Sequence, residues 1–155
     1  MSTVSTAPTL IDALVKAIGA EMTGSLSEVG SFEVWPGTEA RREMVFLGDV
    51  TWDEYDLATI VSGRKRRQED YSVAFEVWVL GETGSSPSSP KTARDKAFAI
   101  LGKIEDVLAD DPRVGLAHTV IQWVVSVPAE AGPRKFEKGW AYRVAGSFKA
   151  HARLT

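Results

Sequence analysis

The segment from Asp70 to Leu80 alternates without interruption. Tyr71, Val73, Phe75, Val77 and Val79 fall on one side of an extended chain, and Ser72, Ala74, Glu76, Trp78 and Leu80 fall on the other. Its aromatic and β-branched residues suit a pleated surface. A strand with one wholly apolar face has to be covered, so this run demands partners that bury it.

Two helical patterns supply the cover. Leu10, Ile11, Leu14, Val15, Ile18 and Met22 recur at helical spacing, with Thr9 as the expected cap, Asp12 in the first turn and Gly24 as the stop. Farther on, Ala93, Ala97, Ile100, Leu101, Ile104, Val107 and Leu108 form a stripe. Ser89 is its expected cap and Pro90 its first-turn proline, and Asp110-Asp111-Pro112 ends it.

The remaining strand signals are shorter. Ser31–Trp35 alternates weakly up to the Pro36-Gly37 turn, Glu43–Leu47 is apolar and stops at Gly48-Asp49, and Tyr55–Val61 reads as a further strand. Thr119–Val127 places Thr119, Ile121, Trp123, Val125 and Val127 on one face, and Phe136–Lys149 alternates around Trp140, Tyr142, Val144 and Phe148. Gly132-Pro133 reads as the turn between them, which makes the pair antiparallel. The order helix, strands, helix, strand pair is not a regular βαβ alternation. It predicts an α+β fold: a mainly antiparallel β-sheet with two α-helices packed on one face. The whole of residues 1–155 is expected to form one domain, with residues 1–7 and the Gly/Ser/Pro-rich Gly81–Ser88 mobile. The sheet face without helices is left to solvent or to a partner.

Composition narrows the function. The absence of cysteine excludes disulfides, thiolate metal sites and a cysteine nucleophile. A net charge of −3 with 25% charged residues is not the balance of a nucleic-acid binder driven by overall charge. No apolar run approaches the roughly 20 residues that span a bilayer, and Met1–Pro8 lacks the pattern of a secretory signal. The working location is therefore expected to be the cytoplasm of the cell that makes the protein.

No catalytic constellation emerges. Gly84–Thr92 has the outline of a phosphate loop, but Pro90 precedes Lys91 where the Walker pattern needs glycine, and a proline removes an amide from the cradle. His118 and His151 lack metal-ligand spacing, the carboxylates Asp53, Glu54 and Asp56 lack a calcium loop, and no serine sits in a GxSxG elbow. The chain is expected to be no enzyme and to carry no cofactor and no metal.

Two features point to contacts instead. Arg64-Lys65-Arg66-Arg67 is the sharpest charge feature; partner contact, phosphate contact and plain solvation are its three readings. Trp78 points away from the Val/Phe face of its strand, so it is either an interface residue or part of a sheet covered on both faces.

The stretch from Trp35-Pro36-Gly37 through Met44–Val50 to Arg66-Arg67-Gln68-Glu69-Asp70-Tyr71-Ser72-Val73 resembles the tail terminator, or minor tail, proteins of long-tailed phages of actinobacteria. Those proteins often carry an Arg-Arg-Glu-Glu-type run before a Tyr-initiated strand; here Gln68 interrupts it. The resemblance implies a subunit of a hexameric ring that caps the tail tube, stops its polymerisation and joins it to the head-side connector. It implies a virion protein at the head-proximal end of the tail, assembled in host cytoplasm, with genomic DNA passing through the lumen without sequence-specific binding and no membrane. It carries no catalytic residues over. A head-closure, neck or other minor tail protein is the alternative within the same class, and a small nucleic-acid-binding module using Arg64–Arg67 is the alternative outside it.

Overall fold

In the computed structural model, the described residues are 5–27, 29–34, 43–56, 60–61, 64–65, 67–80, 90–117, 120–136 and 139–154. In chain order they form α1 (Ala7–Glu21), a 3-10 turn (Gly24–Leu26), β1 (Gly30–Phe32), β2 (Glu43–Asp56), β3 (Ile60–Val61), β4 (Arg64–Lys65), β5 (Arg67–Leu80), α2 (Pro90–Asp110), β6 (Trp123–Phe136) and β7 (Gly139–Leu154). The main sheet has the order β1-β2-β5-β7-β6, and β3 and β4 make a separate two-stranded sheet. Only the short β1–β2 pair is parallel; β2–β5, β5–β7 and β6–β7 are antiparallel. The α+β architecture is thus the one the sequence predicts.

Tyr71, Val73, Phe75, Val77 and Val79 are all buried, and they belong to one core with Leu10, Leu14 and Ile18 of α1 and Ala97, Ile100 and Ile104 of α2. Both helices therefore pack on the same sheet face. In register beside the β5 residues lie Val45 and Leu47 of β2 and Val144, Phe148 and Ala150 of β7. Phe75 and Phe148 stack with centroids 4.6 Å apart. The predicted α2 stripe is buried except for the partly exposed Val107.

Several boundaries differ from the sequence reading. Glu43–Leu47 does not stop at Gly48-Asp49. Gly48 and Asp49 together face the single residue Ala74, a β-bulge inside a continuous β2. The bulge restores alternation, so Val50 falls on the same side as Val45 and Leu47. Tyr55 and Asp56 end β2, while Ile60 and Val61 pair with Lys65 and Arg64. Gly132-Pro133 is not a turn; both residues lie within β6, and the chain reverses between Phe136 and Gly139. Prolines fit there because β6 is an edge strand, whose outward amides join no ladder. Beside the bulge at Pro128, Gly146 of β7 has no room for a side chain: a Cβ would lie 2.5 Å from the Val127 carbonyl oxygen. The strand expected from Thr119 begins at Trp123; Thr119 itself, like Gly81–Ser89 and Trp35, lies outside the described residues.

The N-terminus is corrected too. Residues 1–4 lie outside the described residues, but Ser5, Thr6 and Ala7 are not loose. Thr6 and Ala7 are buried, and α1 starts at Ala7 with Pro8 in its first turn, ahead of the expected Thr9 cap. What fixes this end is Glu69 of β5, a carboxylate with 0% exposure. The Thr6 amide and hydroxyl donate to one of its oxygens, at 3.0 and 3.1 Å. The Ser5 hydroxyl and the Trp52 indole N–H donate to the other, the indole at 2.7 Å. Ser5 Oγ in turn accepts the Ala7 amide at 3.1 Å. The Tyr71 hydroxyl lies 3.0 Å from Thr6 Oγ1. Burial raises the Tyr71 pKa above its usual value, and the Glu69 charge adds to this against the opposing Thr6 hydrogen bond, so the phenol keeps its proton and serves as a donor. A buried carboxylate is tolerable only when hydrogen-bonded in this way.

Two outcomes test this packing. Leu101→Ala is expected to cost about 2–5 kcal/mol in chemical denaturation, as large-to-small core changes do; an unchanged midpoint would place Leu101 at the surface. Glu69→Gln is expected to cost roughly 1.5–3 kcal/mol through weakened charge-assisted hydrogen bonds. It should also speed hydrogen exchange at the Thr6 amide. An unaltered exchange rate there would mean that Glu69 does not hold the N-terminus.

Candidate assembly surface

The sheet face opposite the helices divides into two zones. Toward the β1 edge it is covered: Met44 and Phe46 of β2 are buried, Ala141 of β7 is buried, and Trp78 beside them is half-buried. Toward the β6 edge it is open. Trp123, Val125 and Val127 project from that face with 42%, 45% and 38% exposure. Alternation along β6 puts them on one side, and register with His151, Lys149 and Ser147 of β7 makes that side the outer one.

Polar pairs join the strands of this zone. The Trp123 indole stacks on the His151 ring at 5.6 Å and 15°, and His151 Nδ1 bonds to Asp70 on β5. Farther along, Arg143 of β7 is clamped between Glu76 of β5 and Glu130 of β6, with 2.5 Å between Arg143 Nη1 and Glu130. The hydrogen bond and charge of Arg143 hold the Glu130 carboxyl below its usual range. Burial works against the guanidinium charge, but hydrogen bonds to Glu130 and Glu76 outweigh it and keep the Arg143 pKa above its ordinary value. These pairs border a shallow concavity of about 530 Å³ between the β2 bulge and the β6 bulge, floored by Ala74, Ala145 and Gly146.

A second groove, of about 440 Å³, runs along the molecular edge between the C-terminal half of α2 and the start of β6. Leu108, Ala109 and Pro112 form one wall, and Trp123, Val124 and Val125 form the other. The Val124 amide donates to the Pro112 carbonyl at 2.8 Å and fixes the two walls together. After Pro112 the chain turns through two left-handed residues, Val114 (φ 53°) and Gly115 (φ 78°). Positive φ is costly for a β-branched side chain. The Asp111 carboxylate holds the turn by accepting the amides of Arg113 and Gly115 at 3.1 and 2.6 Å.

The basic run does not lie in a plain loop. Arg64 and Lys65 form β4 and Arg67 opens β5, while Arg66 is outside the described residues. Trp78 stands near the other end of β5, roughly 36 Å away at the strand rise of ~3.3 Å per residue. The two candidate features therefore belong to different surfaces. Sequence reasoning passed over Trp123, Val125 and Val127 as contact residues. Their alternation was visible, but the side it faces depends on pairing with β7. His118 lies outside the described residues, and His151 is engaged with Asp70 and Trp123.

No protein-family model matches this chain, and no curated protein matches it. Among solved structures it is similar to a chain in the virion of a native gene transfer agent particle, with a TM-score of 0.54 at 16% identity. The match covers 97% of this chain and 99% of that one, so the two share a fold over nearly their full lengths.

Proposed function

We propose that this chain is a virion structural subunit, the tail terminator of a long-tailed phage or phage-like particle. Six copies close a ring on the head-proximal end of the tail tube, stop its growth and present a surface to the head-side connector, with DNA passing through the lumen. The chain works by association, without catalysis or a cofactor. The observation that carries the reading is the full-length fold likeness to a chain from a virion particle. The open face at Trp123, Val125 and Val127 supports it, because clustered exposed apolar side chains mark association surfaces. The resemblance of the stretch from Trp35 through Val73 to tail terminators supplies the specific role.

The same fold likeness accommodates a head-closure or neck subunit of a virion. Electron microscopy of the purified protein mixed with uncapped tail tubes separates the two. A terminator is expected to form six-fold rings at one tube end and to shorten tubes polymerised in its presence. Binding to isolated head connectors with none to tubes would assign the neck position. Binding to neither would remove the virion reading. Sub-micromolar, steeply salt-dependent affinity for duplex DNA would favour a nucleic-acid module instead.

A further inference from the structure

We draw no further inference here: the strongest candidate, the apolar strip of Trp123, Val125 and Val127 on the open outer face of β6 with the adjoining α2–β6 groove, is an unpartnered surface patch, and nothing in the structure shows what covers it.

Discussion

The pairing of β5 along both edges organises the molecule. From Arg67 to Leu80 every residue has a partner on β7, and β2 lines the opposite edge apart from its bulges. A strand flanked in this way cannot shift by one residue without turning Tyr71, Val73, Phe75, Val77 and Val79 away from the helices. The core is assembled on that fixed face, and α1 and α2 cover it together. Glu69 then ties Ser5 and Thr6 to the start of the same strand. The position of α1 thus follows from the core it shares with α2 and the sheet, and from a buried carboxylate of β5 at its N-terminus.

What could be read from the sequence was what is periodic and local. The alternation of β5 and the stripe of α2 each repeat enough times to outweigh any single residue, and α2 ends where Pro112 requires. The misread positions are those where local chemistry suggests a turn and tertiary pairing overrides it. Gly48-Asp49 and Gly132-Pro133 have turn composition, yet one forms a bulge and the other lies on an edge strand. Glu69 sits in a charged run that looks solvated; its partners Ser5 and Thr6 are more than sixty residues away. Nothing near it in the chain announces them. The basic run was recognised as a feature, but its placement on a small separate hairpin, far from Trp78, required the fold.

The two sheet faces carry different duties. The inner face is continuous and apolar and gives stability. The outer face is divided, with buried residues near β2 and an open strip at Trp123, Val125 and Val127. Between them the Glu76–Arg143–Glu130 clamp, half-buried at Glu76 and Arg143 and exposed at Glu130, links three strands at the level of the β6 bulge. Cross-strand charge pairs of this kind fix the relative positions of neighbouring strands, which a surface that recognises another subunit needs more than it needs energy.

Pro128 and Pro133 on β6 have a meaning beyond local fit. A long edge strand is ordinarily an open template on which further chains can add, strand beside strand, without limit. Each proline deletes an amide from that template, and the bulge at Pro128 breaks its straight line. Fibre-like growth through β6 is therefore blocked at two places by covalent structure alone. A chain whose proposed work is to associate a fixed number of times keeps its apolar strip available while its backbone refuses the one mode of association that has no natural end.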